Sequence, residues 1–451
     1  MSSSLAPADG RHRFLFAMFQ GGGNIPLILP VAGRLVAHGH TVRILAGPGI
    51  RAGRMPVSAR FRERIAAVGA ALVPFQEPDI HPFDAAPPPR GLVRGWTPKR
   101  LAELTANAPT LVWSPAWAAN VAAELRRTPT DVLVADHFLP AAVAAAEAAG
   151  IPAAVLVHGF YKHRPAPGLP PYATGFLPAR GPLGRLRDTL YNAAIQHVFR
   201  RDGLPALNRA RRQLGLAPLR SPFDQYDRAA RVLILASASL DFPARRLPAN
   251  VRYVGTPFDD VGAVAWESPW PADDPRPLVL VSLSTLPQGQ APVMQRILSA
   301  LAPLPVRALV TLGPSLDPTQ FEAPPNVVLE TFVPHAAVLP QVAAMITQCG
   351  LGSMMKALAH GVPLVCIPLL GDQPNNAAQV VARGAGVRLA PDAAREQIQK
   401  AIRRVLDEPR FRAGAQRLAT LLAGEDGAEA AARELESLGA AQRHRRASAA
   451  R

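Results

Sequence analysis

The residues best suited to chemistry lie between Phe332 and Leu389. An apolar run, Ala344 to Thr347, leads into Gln348-Cys349-Gly350-Leu351-Gly352-Ser353, and a helical pattern follows from Met354 to Ala359. Two glycines and a serine at a strand-to-helix turn let backbone N–H groups close on an anion, and the helix N-terminus adds a favourable dipole. A phosphate there gains about 0.3–2 kcal/mol from the dipole, besides charge-assisted hydrogen bonds. Gly361, a strand from Val362 to Ile367 and the loop Gly371-Asp372-Gln373 come next. In an open α/β sheet such a loop lies at the carboxyl edge of the strands, where ligands sit. A lone Gly-x-Gly-Ser reads equally well as a turn that packs a helix on a sheet. The close succession of this turn, Gly-Val-Pro, Gly-Asp-Gln and Asn376-Ala377 is more specific.

Such loops need a parallel sheet beneath them, and the pattern supplies two. Arg13 to Phe19 reads as a strand, Gly21-Gly22-Gly23 as a turn, Ile25 to His38 as a helix stopped by Gly39, and Thr41 to Ala46 as the next strand. A right-handed crossover makes these strands parallel. Asp131 to Ala135, the helix Pro140 to Ala149 and Ala153 to His158 repeat the unit, and Val232 to Ala236 reads as the last strand of this half. Pro78 to Lys99 and Arg164 to Arg187 are Pro-rich and long for loops, a trait of functional loops. Pro243 to Pro277 carries no sustained period and reads as a linker. Strands at 278–283, 307–311, 327–330, 344–347 and 362–367 then build a second sheet. The expectation is an α/β protein of two doubly wound, Rossmann-like domains facing across a cleft: residues 1–242, a linker 243–277, and residues 278–427. Residues 428–451 form a closing helix and a basic tail, disordered beyond Ala440.

Composition narrows the partners. With 49% hydrophobic and 18% charged residues the chain is globular, and 48 prolines against 34 glycines predict stiff loops. The net charge of +16 is scattered, clustering only at Arg443-His444-Arg445-Arg446, and no zinc-finger, RNP-like or basic-zipper pattern accompanies it. This argues against nucleic acid and leaves open a weak peripheral contact with anionic lipid. Two cysteines, Cys349 and Cys366, support neither a disulfide framework nor a metal cluster. A reducing, cytoplasmic setting follows, and no secretory signal or membrane span is legible.

Phe332-Val333-Pro334-His335, Thr347 to Ser353, His360-Gly361-Val362-Pro363 and Asp372-Gln373-Pro374-Asn375-Asn376-Ala377 resemble the donor-binding signature of the UDP-glycosyltransferase superfamily. They look most like its bacterial macrolide- and natural-product-modifying branch. Val281 to Thr285 with Gln288-Gly289-Gln290 is similar to that family's first C-domain strand and phosphate-facing loop, and Arg34 to Val42 to its N-domain opening. The resemblance implies the GT-B fold, with a nucleotide sugar in the C-domain, the acceptor in the N-domain, and no cofactor or metal. It implies that Phe332 stacks near the nucleobase, that Val333 meets the base through its backbone, and that His335 lies near base or ribose. Gly350, Gly352 and Ser353 would bind the diphosphate with Ser284 and Thr285 opposite, and Asp372 and Gln373 the sugar hydroxyls.

Three positions depart from the pattern. Gln348 stands where the family has a diphosphate-contacting histidine. Losing a charge-assisted bond worth about 1.5–3 kcal/mol weakens the donor tenfold to a hundredfold unless compensated. Lys356 replaces the ribose-binding glutamate and either offsets that loss, selects a different donor, or is an exposed helix lysine. The usual base histidine falls on Gly23, beside Asn24, three residues before Pro26. Its partner aspartate remains as Asp136, which could instead cap the Pro140 helix. Asp136 itself, His137 and His158 are the candidate replacements for a base worth roughly 10²–10⁴ in rate. A phenol or carboxylate acceptor would need little help.

The function implied is transfer of a hexose from a UDP- or TDP-sugar to a small, largely apolar acceptor, such as a natural product or lipid-like aglycone. Trp96, Trp113, Trp117, Tyr161 and Tyr172, near the Pro-rich loops, either shape the acceptor pocket or pack in the core. A catalytically impaired, nucleotide-sugar-binding homologue is the alternative, and an epimerase or phosphorylase on the same architecture a third.

Overall fold

Strand β1 (Arg13–Phe19) is buried at six of its seven positions, the pattern of a parallel strand covered by helices on both faces. The computed structural model describes residues 10–47, 57–76, 114–162, 164–258, 266–284 and 288–449. In the first half, α1 (Ile25–Ala37), β2 (Thr41–Gly47), α2 (Ala59–Ala67) and β3 (Ala71–Pro74) follow β1. Next come α3 (Pro115–Arg127), β4 (Val132–Asp136), α4 (Pro140–Ala148) and β5 (Ala153–Val157). Helices α5 (Gly181–Asp202), α6 (Leu204–Gln213) and α7 (Asp224–Asp227) then lead to β6 (Arg231–Ile234) and β7 (Val251–Tyr253).

The second half runs β8 (Leu278–Ser282), α8 (Ala291–Leu301), β9 (Arg307–Thr311), β10 (Val327–Glu330), α9 (His335–Val338) and β11 (Val342–Thr347). It continues through α10 (Leu351–Ala359), β12 (Leu364–Cys366), α11 (Gln373–Ala382) and β13 (Gly386–Arg388). Helices α12 (Arg395–Asp407), α13 (Pro409–Leu422) and α14 (Gly427–Ala449) close the chain. None of the described helices is long and apolar enough to cross a membrane.

The first sheet has the order β3-β2-β1-β4-β5-β6-β7 and the second β10-β9-β8-β11-β12-β13, with parallel pairing throughout. Strand order therefore reverses between β1 and β4 in one sheet and between β8 and β11 in the other. At such a reversal the loops diverge to opposite faces and leave a crevice at the carboxyl ends. The turn after Phe19 and the end of β4 at Asp136 border the first crevice. Ser284 and the turn from Gln348 to Ser353 border the second.

Three expectations need correction. The stretch read as a linker contains β7, which pairs with β6, so β6 is not the last strand of its sheet. Three residues are too few to register as a period. The tail beyond Ala440 is helical to Ala449 rather than disordered. It is held from outside: Arg443 donates to the carbonyl of Gly10, Arg446 pairs with Asp131, and Gln442 donates to the carbonyl of Gly150. Finally, Trp117 is not a pocket wall. It is fully buried in the first core, its ring 4.7 Å from that of Phe75.

Helix α14 thus returns to the first domain and packs along α1. Arg34 pairs with Asp426 and Glu429, while His38 and His40 both reach Glu436. His12 lies beneath, so close to Gly439 that a Cβ there would stand 2.6 Å from its Nδ1. Burial first, then Arg443 and His40, lower the His12 pKa from 6.5 to about 4, against the pull of Asp131 and Glu436. His12 is therefore neutral in the fold, whereas the unfolded chain takes up a proton as pH drops below about 6.5. The associated stability is complete above about pH 6.5 and is lost as pH falls towards 4. Melting temperature should decline across that window, and His12→Asn should flatten the decline relative to its own value at pH 7.5.

Candidate active site at the interdomain cleft

The turn after β11 is shaped by its own side chains. Thr347 Oγ1 donates to Gln348 Oε1 at 3.1 Å, and the Cys349 N–H donates back to Thr347 Oγ1 at 3.3 Å. Cys349, buried, takes a left-handed φ of 64°, which swings the chain into Gly350. Gly350 is the N-cap of α10, and no side chain caps the helix. Gly352 and Ser353 thus lie inside the first turn, whose N–H groups lack a helical partner. A Cβ on Gly352 would meet nothing within 4 Å, whereas one on Gly350 would press Gln348 Nε2 at 3.2 Å. The arrangement is an open anion seat with Gln348 folded against its base.

Around this seat the other sequence-predicted residues divide. Ser284 is buried, and its carbonyl accepts from Gln290 Nε2 at 3.1 Å and Ser315 Oγ at 3.2 Å. Thr285 lies outside the described residues. His335 Nε2 sits 3.3 Å from Thr311 Oγ1. Burial and then the Lys356 ammonium lower the His335 pKa to about 4, so His335 is neutral and Lys356 is its neighbour. Val333 is buried, while Phe332 is 61% exposed with the Arg60 guanidinium of α2 5.0 Å from its ring centre. Asp372 precedes α11 and accepts from Asn376 Nδ2 at 3.3 Å, and the same amide donates to the Cys349 carbonyl at 2.8 Å. Asn376 therefore ties the anion seat to Asp372. Both ends of the Gln373 amide are engaged: Oε1 accepts from the Leu369 and Leu370 N–H groups, and Nε2 donates to Gln288.

Across the cleft, Asp136 is 2% exposed at the end of β4. Its Oδ2 accepts from Asn24 Nδ2 at 2.8 Å and its Oδ1 from the Phe138 N–H at 2.9 Å. Leu139 is the N-cap of α4, so Asp136 does not cap that helix. Asn24 also donates to the Phe19 carbonyl, filling the partner position that an imidazole would otherwise take. Gly23 is exposed, with open space where its side chain would project. His158 Nε2 and His137 Nδ1 stand 3.4 and 3.5 Å from Asp136 Oδ1. His137 is buried, its carbonyl accepting from the Tyr226 hydroxyl, while His158 faces the cleft with its side chain 13% exposed. The ligand atoms of Asp136, His137 and His158 lie within 4.8 Å of one another, a grouping with metal-binding spacing. A cationic neighbour opposes a divalent ion there by like-charge repulsion, and both Asp136 oxygens already accept hydrogen bonds.

That neighbour is Lys162, which the sequence reading missed. It follows β5 on a loop that packs between the domains, its ammonium 5.7 Å from the Phe138 ring centre and 5.5 Å from that of Tyr172. Burial lowers its pKa, while Asp372 and Asp136 act in the opposite sense, so it lies within reach of a carboxylate from each domain. A Cβ on Gly159 would come within 2.9 Å of its Nζ; the glycine leaves it room. One sequence signal points to it: among 49 basic residues only Lys99, Lys162, Lys356 and Lys400 are lysines. Tyr161 and Tyr172 line the same interdomain pocket. Trp96 and Trp113 lie outside the described residues, as does the stretch Pro78 to Lys99.

The profile of the family described as "Erythromycin biosynthesis protein CIII-like, C-terminal domain" matches residues 295–438. Over 425 residues the chain is 32% identical to 4'-demethylrebeccamycin synthase of Lentzea aerocolonigenes, spanning 92% of this chain and 96% of that one. It is 31% identical over 206 residues to demethyllactenocin mycarosyltransferase of Streptomyces fradiae, 43% of this chain and 44% of the relative. Among solved structures, the calicheamicin glycosyltransferase CalG4 has a TM-score of 0.67 at 22% identity, over 95% of this chain and 98% of that one. The glycosyltransferase VinC in complex with dTDP has a TM-score of 0.65 at 21% identity, over 95% and 99%. Both share the two-domain fold.

The anion seat makes a separable prediction. Gly352→Leu adds a side chain where no protein atom lies, and relief of helical glycine strain is worth up to about 1 kcal/mol. Its melting temperature should match or exceed the parent's. Titration with UDP and TDP should show affinity at least about tenfold weaker, and unchanged affinity would remove the diphosphate from this turn.

Proposed function

The chain belongs to the macrolide- and natural-product-modifying branch of the UDP-glycosyltransferase superfamily, and from that premise we propose how its cleft works. It is a hexosyltransferase, moving a hexose from a nucleotide diphosphate sugar to a small, largely apolar acceptor. The reading as an impaired auxiliary homologue is not favoured, because its relatives are named for the transfer they carry out.

One observation carries the mechanism: an uncapped helix N-terminus and a buried aspartate–histidine group stand at the two strand-order reversals and face one cleft. We assign the diphosphate to the first turn of α10, through Gly350, Gly352 and Ser353, with Ser284 and Thr285 opposite. The dTDP held by VinC supports a nucleoside diphosphate as leaving group. Phe332 is an exposed ring on which a base can stack, Val333 meets it through its backbone, and His335 is a neutral donor or acceptor for base or ribose. Lys356 supplies the cation that Gln348 lacks. Asp372 accepts from sugar hydroxyls, while Gln373 braces the loop that presents it.

His158 is the general base in this reading and Asp136 its positioning residue; His137 packs the wall behind them. The acceptor O–H gives its proton to His158 Nδ1, the ring nitrogen opposite the one that faces Asp136, and the freed oxygen attacks the anomeric carbon. The C–O bond to the β-phosphate breaks, and the diphosphate leaves with its electron pair. Asp136 stabilises the imidazolium, while Asn24 holds the carboxylate where the family's histidine would bind it. The reaction written this way needs no cofactor beyond the nucleotide sugar. The buried free thiols of Cys349 and Cys366 fit a reducing, cytoplasmic setting.

His158→Gln and Asp136→Asn should each lower kcat by about 10²-fold or more at a pH below the acceptor's own pKa, where a proton must still be removed. Nucleotide affinity by calorimetry should be unaltered in both. Full-rate turnover by His158→Gln would make His158 a wall residue and move the base elsewhere.

A further inference from the structure

We propose that Lys162 holds the acceptor's nucleophilic oxygen as an anion, so that the acceptors are monoanionic aromatic acids such as phenols rather than neutral aliphatic alcohols. The inference rests on the glycosyl-transfer reading of the same cleft and names its acceptor class.

Among the described residues no hydrogen bond or close ion pair engages the Lys162 ammonium, although it is half-buried between two ring faces. The ammonium is partly shielded from bulk water, so a ligand that accepts from its N–H groups in place of water is favoured. Both oxygens of Asp136 accept hydrogen bonds, from Asn24 and the Phe138 N–H, and Asp372 Oδ2 accepts from Asn376.

The reaction makes this position telling. The anomeric carbon gains positive charge as its bond to the leaving oxygen breaks. A fixed ammonium beside it opposes that charge when the nucleophile is neutral. When the nucleophile is an anion paired with the ammonium, the same charge organises the attack instead. Gly23 leaves the mouth of α1 without an imidazole; His158 takes the proton as the acceptor ionises, and Lys162 holds the resulting anion. The oxygen lone pair forms the new C–O bond, the diphosphate departs with the old bonding pair, and Lys162 stays protonated throughout. Asp136 and Asp372 set a limit, since a second negative charge on the acceptor would be repelled. The charged groups acting on Lys162 are Asp136 from the first sheet and Asp372 from the second domain, with the rings of Phe138 and Tyr172 beside its ammonium. In a chain that uses arginine nearly everywhere, a lysine here provides a compact point charge on a flexible stem.

The test uses 4-nitrophenol, whose anion is coloured, with the full-length protein. Bound to the parent, its apparent pKa should fall by about 1–3 units, as expected for an opposite charge at close range. Lys162→Met should abolish the fall and Lys162→Arg should keep it. With UDP-glucose or TDP-glucose as donor, Lys162→Met should lower the kcat/KM ratio of 4-nitrophenol to 1-octanol at least tenfold. The proposal is overturned if the phenol does not bind the parent, if its bound pKa is unshifted or raised, or if Lys162→Met behaves as the parent. UDP and TDP titrations on the same samples report on the transferase reading separately, because the colour measurement needs no donor.

Discussion

Everything in this molecule hangs on where its two parallel sheets reverse strand order. Parallel pairing forces each connection over a face of the sheet, so only at β1/β4 and β8/β11 do neighbouring loops part and leave unfilled space. The apolar strands β1, β4, β8 and β11 exist to hold those reversals rigid; apart from Arg13, their residues are nearly all buried. What the strands deliver at their carboxyl ends is asymmetric. One reversal presents Asp136 with two histidines, and the other presents the free N–H groups of α10.

Polar side chains of α11 add specific links around and across the cleft. Asn376 links the anion seat to Asp372, Asn375 exchanges bonds with the Gly175 N–H and the Pro171 carbonyl, and Gln379 donates to Asp241 of the first domain. Burial raises the Asp241 pKa, and bonds from Tyr253 and the Tyr161 and Phe242 N–H groups act against that rise. A single helix, α11, thus senses both the donor seat and the loop that carries Lys162. This explains why a lysine of the first domain and an aspartate of the second fall within electrostatic range.

Much of the architecture is legible in the residues. The bounds of β1, Arg13 to Phe19, match the run of apolar side chains, and the Gly-rich turn before α10 reads directly as an anion seat. The start of α10 does not: Gly352 and Ser353 are weak helix formers, and only tertiary packing draws Leu351 into the helix. Strand β7 is too short to carry a period. Helix α14 has little apolar periodicity, and its last turns are ordered by an ion pair and a hydrogen bond to residues some three to four hundred positions away. Lys162 lies in no motif; its meaning comes from Asp136 and Asp372, which only folding brings to it.

Helix α14 also changes the mechanics of the two halves. The backbone passes from the first domain to the second after β7 and returns ahead of α14, whose side chains are pinned to α1 and β4. Two covalent crossings define a line, as a pair of hinges does for a door. Opening is then confined largely to rotation about that line, and twisting or sliding of one half over the other is suppressed. The anion seat and Asp136 can move apart to exchange ligands, yet each closure returns them to the same register.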